Sequence, residues 1–301
     1  MSAKAAATMS SETLAARGKM SAYFELTKAR VVSMVLVTTL AGFYLAAPGG
    51  LDLAIAINLL IGTALAAAGT LALNQYVERD TDALMLRTQH RPVPDGRLRP
   101  VEALVFGLAA TGAGLIYLAL ATNWLCTAVT AAITIVYLFA YTPLKRVTWA
   151  CDIVGAIPGA LPPVAGWAAV RGSISAQPMV MFAIMFLWQL PHTFAVARLY
   201  RSDYARAGIK LLPDDARWGN PSDIVVIVAS IALIAVGIAP TLMGAAGVPY
   251  LAVAAVLGVA MLGFGIAMVR APLRPQPARR LLFASLVYLP IVLLMMVVDK
   301  L

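Results

Sequence analysis

Residues 53–82 read LAIAINLLIGTALAAAGTLALNQYVERDTD, an apolar run that closes on a cluster of acids and an arginine. The apolar part, to about residue 76, is long enough to cross a membrane, since about 20 apolar residues cover roughly 30 Å of hydrocarbon. Ionisable side chains at the lip of such a helix are costly to hold near lipid and so mark a functional site. On a continuous helix Asn74, Glu78 and Asp82 are successive i,i+4 neighbours on one face, and Asp80 falls off that face. Three oxygen-bearing side chains in line suit hard divalent cations, which would in turn hold an anion. The plainer alternative is a solvated helix end with ion pairs among Glu78, Arg79 and Asp82.

The pattern of residues 53–76 recurs along the chain. With 61% hydrophobic and 12% charged residues and a mean hydropathy of +0.85, the composition is that of a polytopic membrane protein. Nine apolar blocks stand out, at about 31–47, 53–76, 101–120, 124–141, 149–168, 177–198, 222–241, 249–269 and 281–298. Their length and the lack of a short alternating pattern predict an all-α bundle of transmembrane helices rather than a membrane barrel. The first block follows a polar lead of about 30 residues without a small-residue cleavage pattern, so it reads as a retained span.

Charge placement fits nine alternating spans. Lys4, Arg17, Lys19, Lys28 and Arg30 precede the first; Arg79, Arg87, Arg91, Arg97 and Arg99 follow the second; Lys145 and Arg146 follow the fourth. Arg198, Arg201, Arg206, Lys210 and Arg217 follow the sixth, and Arg270, Arg274, Arg279 and Arg280 the eighth, leaving Arg171 and Lys300 for the opposite side. The positive-inside rule then predicts the N-terminus inside and the C-terminus outside. The expected location is a multi-pass protein of a prokaryotic plasma (inner) membrane, or the inner membrane of an organelle. The net charge of +9 lies on one face, where it favours lipid headgroups and anionic substrates. A nucleic-acid partner is not expected, because these cations sit in short loops tied to spans.

Further polar elements share the basic side. Arg87 and Arg91, four apart, can present guanidinium forks to a phosphate or carboxylate. Tyr141-Thr142-Pro143-Leu144-Lys145-Arg146 ends the fourth span, where the two cations are either ordinary membrane anchors or partners of a metal-bound diphosphate. Trp188-Gln189-Leu190-Pro191-His192 lies in the sixth span, and Arg198, Tyr200, Arg201, Asp203 and Tyr204 follow it. Pro191 is expected to loosen that helix. His192 is either an interhelical hydrogen-bonding group or an iron ligand. Asp203 is a candidate further carboxylate for metal, and His90 reads as a surface or lid residue. In the fifth block, Gly155, Pro158, Gly159, Pro162, Pro163 and Gly166 interrupt regular helix, leaving room for close packing or for a bulky flat ligand; Asp152 near its start is another acid by the basic face. Cys126 and Cys151 are not expected to form a disulfide.

The run from Asn74 to Asp82, with Arg87-Thr88 and Arg91-Pro92, resembles the first aspartate-rich motif of the UbiA-type intramembrane prenyltransferases. Tyr141 to Arg146, Gly155-Ala156 with Pro162-Pro163, and Trp188 to His192 with Asp203-Tyr204 and Gly208 resemble the haem O synthase branch of that family. The resemblance covers about 25–297. It implies a nine-helix fold with a large cavity open to the basic side and transfer of a farnesyl group from farnesyl diphosphate to the 2-vinyl group of haem b. It further implies Mg2+ at Asn74, Glu78, Asp82 and Asp203, catalytic help from Lys145 and Arg146, and substrate contacts from Arg87, Arg91, Tyr141, His192 and Asp203. Residues 1–30 would then be a cytoplasmic lead and 31–298 one prenyltransferase domain. Membrane lipids, and haem A synthase or oxidase-assembly proteins, are the implied partners. The sequence departs from the superfamily pattern at Gln75 and Glu78, where aspartate is usual, and at His192 and Leu199 in the second motif. Rival readings are a same-fold enzyme with a quinone-precursor or other aromatic acceptor, a haem-binding assembly protein, and a transporter.

Overall fold

The computed structural model describes residues 18–47, 49–50, 52–213 and 219–301. The cations Lys4, Arg17 and Arg217 lie outside the described residues. Among those residues, nine helices are long and apolar enough to cross a membrane: α1 Ala29–Ala46, α2 Leu53–Asp82, α3 Pro100–Ala121, α4 Trp124–Leu144, α5 Cys151–Arg171, α6 Ala176–Leu199, α7 Pro221–Leu242, α8 Val248–Arg270 and α9 Pro275–Val298. Leu120, Phe139, Val256 and Phe283 lie exposed on helix flanks. Such side chains are at home in lipid rather than water.

Helix ends agree with the expected blocks to within a few residues at most places. The largest differences are at α2, which ends at Asp82 rather than near 76, and at α9, which begins at Pro275 rather than near 281. Proline is well suited to the first helical turn, where its missing N–H has no intrahelical partner to lose. Helix α2 continues through the acidic cluster to Asp82, which keeps Asn74, Glu78 and Asp82 in register on one face.

The two largest apolar clusters each tie several spans together. One joins α6 to α9 through Ile184, Leu233, Tyr250, Met261, Tyr288 and Val292, and the other joins α1 to α5 through Phe43, Leu59, Leu118, Val129 and Val164. Helix α5 is broken at Leu161 between Cys151–Ala160 and Pro162–Arg171, so the proline-rich block does interrupt the helix. Its gaps are filled by neighbours, not left for a flat ligand: Gly155 lies against the Tyr141 ring, Gly159 against the Gln189 amide, and Gly166 against the Thr39 carbonyl. Pro191 does not break α6, which remains helical from Ala176 to Leu199.

The ends of the bundle differ in charge as expected. Arg171 and Lys300, the two cations assigned to the opposite side, come together there. Arg171 Nε donates to the Ala46 carbonyl, and Lys300 Nζ donates to the carbonyls of Tyr44 and Ala47. They thereby satisfy the last carbonyls of α1, the usual place for a cation at a helix C-terminus. Cys126 and Cys151 are buried free thiols.

Candidate active site

A cavity of about 170 Å3 opens among Lys28, Asn74, Glu78, Asp82, Arg87, Arg91, Tyr137, Tyr141, Lys145 and Tyr204. Its lining comes from the start of α1, the end of α2, the segment after it, the end of α4 and the segment after α6. The face predicted for Asn74, Glu78 and Asp82 is therefore the face that meets the cavity, while Asp80 points away, 78% exposed beside Arg79.

Ion pairs across elements order the acids. Lys145 Nζ donates to Glu78 Oε1 at 2.8 Å, and Arg91 Nη1 to Asp82 Oδ2 at 2.5 Å. Each carboxylate is thus engaged by its cation through one oxygen. Asn74 is buried; its Nδ2 donates to Thr142 Oγ1 at 3.2 Å, and its Oδ1 accepts from Lys28 Nζ at 3.4 Å. Burial disfavours the Lys145 charge, but the Tyr141 ring and the Glu78 carboxylate more than offset it and hold the ammonium above the ordinary lysine range. Arg87 reaches the Tyr204 hydroxyl at 3.3 Å and lies over the Tyr200 and Tyr204 rings.

A wide turn of helix presents the tyrosines. From Val136 to Tyr141 the α4 backbone takes π-helical form, and the Thr142 N–H bonds the Tyr137 carbonyl. The extra residue in that turn rotates the side chains beyond it about the helix axis, a device common at functional sites. Tyr137 and Tyr141 then stand 5.5 Å apart, ring centre to ring centre, over the cluster.

Lys28, Tyr137 and Tyr204 join the site although sequence patterning does not single them out for it. By its position in the chain Lys28 is only a basic-side anchor. It is the single non-glycine residue with positive φ, at +50°, among the described residues, a conformation that costs an L-residue about 1–2 kcal/mol. Buried Gln75, where aspartate is usual, donates to the Leu26 carbonyl at 2.7 Å and so fixes the chain just before that turn. Burial, then the nearby Arg91 charge, lowers the Lys28 ammonium to about 7. A lysine directly before the first apolar block is the available sequence signal, but spacing does not say that it folds back onto α2.

Other predicted residues stand elsewhere. Arg146 is exposed and does not line the cavity. Asp203 is nearly buried and pairs with Arg206, one turn along its own short helix; its neighbour Tyr204 takes the place in the lining. His90 is exposed, as expected for a surface or lid residue. Asp152 is buried with Oδ2 unpartnered, within electrostatic reach of Lys145.

His192 belongs to a separate polar group between α6 and α9. Its Nδ1 lies 2.8 Å from Ser285 Oγ, and the Ser285 hydroxyl lies 2.6 Å from the Leu282 carbonyl. A serine has one hydroxyl hydrogen. Given to Leu282, it leaves Ser285 Oγ to accept from His192 Nδ1–H, so the Nε2 lone pair remains open. Trp188 stacks on the imidazole at 5.1 Å, and its indole N–H donates to the Ser285 carbonyl at 2.8 Å. The interhelical bond and an open ligand nitrogen thus coexist in one side chain.

With Arg87, Arg91, Lys145 and, when protonated, Lys28 set against two carboxylates in its lining, the cavity favours an anion with several oxygens. The model of the UbiA prenyltransferase family matches residues 35–287. The chain belongs to that family. A Solibacter usitatus protein named "Protoheme IX farnesyltransferase" is 42% identical over 289 residues, covering 92% of this chain and 98% of the relative. Among solved structures, a digeranylgeranylglyceryl phosphate synthase superposes with a TM-score of 0.79 at 15% identity, covering 93% of this chain and 98% of that one. A UbiA homologue from Archaeoglobus fulgidus bound to GPP and Mg2+ gives a TM-score of 0.62 at 16% identity, covering 91% and 99%. These likenesses establish a UbiA fold in a polytopic membrane enzyme.

Family resemblance implies a large cavity on the basic side, whereas the cavity at the acidic cluster is only about 170 Å3. The paired side chains and the rings of Tyr137, Tyr141 and Tyr204 close around it. Among the described residues no three of His, Cys, Asp and Glu gather as a metal site. Two carboxylates and the Asn74 oxygen nevertheless fit magnesium when an anionic substrate brings oxygens of its own, the usual way in which this small hard ion is held.

Proposed function

We propose that this enzyme transfers the farnesyl group of farnesyl diphosphate to the 2-vinyl group of haem b, giving haem O and diphosphate. The observation that carries the reading is the Asn74, Glu78 and Asp82 face set against Lys28, Arg87, Arg91 and Lys145 in one cavity. The haem acceptor is supported by the near full-length similarity to proteins named "Protoheme IX farnesyltransferase". Asn74, Glu78 and Asp82 would hold Mg2+; Asp203, expected as a further ligand, pairs with Arg206 and does not line the cavity, and is left out of this set. Bound there, magnesium would neutralise the diphosphate oxygens and make diphosphate a better leaving group.

Lys145 and Arg91 would turn from the carboxylates to the diphosphate, and Lys28 and Arg87 would steady its outer oxygens. The carbon–oxygen bond breaks with its electron pair leaving on diphosphate, and the allylic cation is attacked by the vinyl carbon of the porphyrin. Water then adds to the resulting cation and loses a proton, which yields the hydroxyethyl group. Tyr137 and Tyr141 would shield the allylic cation from early hydrolysis. No side-chain nucleophile is required.

We further infer that residues 1–30 and the basic loops face the cytoplasm of a prokaryotic cell with the C-terminus outside, and that 31–298 act as one catalytic domain. Haem O would pass to haem A synthase or oxidase-assembly proteins in the same membrane. The deciding experiment measures diphosphate release from farnesyl diphosphate by the purified protein with haem b, with a hydroxybenzoate, or with no acceptor. Haem-dependent release with a farnesylated haem product is expected. Release that depends on the hydroxybenzoate would transfer the reaction to an aromatic acceptor.

Two further outcomes belong to this reading. Glu78→Asp should retain part of the activity and Glu78→Gln very little, because the carboxylate answers both Lys145 and a hard metal. Magnesium titrations of the two variants check this; equal loss would mean that reach, not charge, governs. For haem, His192→Ala should weaken haem b binding and alter its absorption spectrum, since imidazole suits iron far better than magnesium. Ser285→Ala frees the ring tautomer and should weaken haem binding about 10- to 100-fold, the usual effect of losing a group that orients a ligand. Farnesyl diphosphate affinity should stay near normal in both. Unchanged haem spectra would leave His192 as a helix-packing residue alone.

A further inference from the structure

Helices α8 and α9 are joined by a hairpin whose residues 270–280 carry Arg270, Arg274, Arg279 and Arg280 and no acid. None of the four makes an ion pair among the described residues. Beside it lies a groove of about 440 Å3, larger than the cavity at the acidic cluster, and its lining is almost wholly apolar except for Arg279 and Arg280. Leu257, Ala260 and Phe264 supply the α8 wall; Phe283, Ala284 and Val287 supply the α9 wall.

Register gives the groove a direction. The α8 residues recur at spacings of three and four and so share one face, as do Arg279, Phe283 and Val287 on α9. Because the helices run antiparallel through the hairpin, Phe264 and Phe283 lie nearer the arginines than do Leu257 and Val287. The groove therefore runs from a cationic lip at the basic end of the bundle along the spans toward the membrane interior. Phe283 is 72% exposed and Phe264 37% exposed at its sides, so the walls are open to lipid rather than covered by another helix.

We propose that this groove is a binding site for an anionic phospholipid, with the phosphodiester on Arg279 and Arg280 and an acyl chain along Leu257, Phe264, Phe283 and Val287. Guanidinium forks match phosphate oxygens in geometry as well as charge. Basic pockets between transmembrane helices on the cytoplasmic side are the expected place for such headgroups. The site is separate from the acidic cavity, with which it shares no lining residue.

The test uses the purified full chain in neutral detergent and native mass spectrometry, with added phosphatidylglycerol or with phosphatidylcholine of the same acyl chains. Phosphatidylglycerol should be retained and phosphatidylcholine should not. Arg279→Gln with Arg280→Gln should weaken phosphatidylglycerol binding roughly 30-fold, since each cation near an anionic headgroup contributes about fivefold. Ala284→Trp, which fills the groove and leaves both arginines in place, should weaken it as well. Arg270→Gln with Arg274→Gln removes the same charge outside the groove and should change binding little. Equal retention of the two lipids, undiminished binding in the Ala284→Trp protein, or an equal loss in the Arg270 and Arg274 control would overturn the site. Competition by inorganic phosphate alone would overturn it too, by showing a simple anion site without an acyl component.

Discussion

Asp82→Ala is expected to lower turnover about a hundred- to a thousandfold, on the scale of removing one preorganised electrostatic group from a reaction centre. Asp82 is only 1% exposed and holds Arg91 at 2.5 Å, so the change removes a carboxylate from the proposed metal-binding face and leaves a guanidinium without its partner. Two effects then combine. The anion site keeps its cations but loses an oxygen that would bring magnesium to the diphosphate, and Arg91 is free to bind diphosphate unproductively. Farnesyl diphosphate affinity should consequently change less than turnover does. The fold should survive: the Asp82 carbonyl accepts from Thr88 Oγ1, and that bond needs no Asp82 side chain. Steady-state assays in purified membranes at matched protein level check the prediction, and activity near that of the unmodified enzyme would remove Asp82 from the reaction.

Gly166→Ala should cost about 3 kcal/mol of stability, the upper part of the usual range for overpacking. A methyl group at Gly166 would meet the backbone of α1 at the Thr39 carbonyl and, at 2.8 Å, the Phe43 nitrogen. Backbone cannot rotate aside as a side chain can, so α1 must shift away from α5. Membrane helices rely on such close approach because lipid gives them no hydrophobic drive to associate. Gly112→Ala provides the comparison: nothing lies within 4 Å of a Cβ there, and the better helix propensity of alanine should raise stability by up to about 1 kcal/mol. Thermal unfolding of both proteins in the same detergent tests the contrast. Equal midpoints would show that α1 and α5 are not held by this contact. Loss of activity in Gly166→Ala should follow loss of fold, whereas Asp82→Ala should lose activity with fold intact.

The acidic face of α2 is legible in the sequence because it depends on one helix only. Once residues 53–82 are helical, the 3.6-residue period puts Asn74, Glu78 and Asp82 together and turns Asp80 away, whatever surrounds them. Spans are legible for a similar reason. A helix satisfies its own backbone in lipid, so hydropathy and length suffice to find it. Placement of the cations also follows from order along the chain, and the meeting of Arg171 with Lys300 at the end of α1 agrees with it.

Tertiary structure alone decided which charges meet. Lys145 and Glu78 are 67 residues apart, and His192 and Ser285 are 93 apart; no local period relates them, because each pairing depends on how two helices are rotated about their axes. Lys28 enters the cavity through a left-handed turn fixed by Gln75. Tyr137 and Tyr141 face it through a π turn, and Arg206 keeps the Asp203 carboxylate on its own short helix. The sequence by itself determined nine spans, a basic side and one oxygen-bearing face, all properties of single helices. Packing determined the partners of that face, since the contact between two helices is set by their joint shape and not by the period of either.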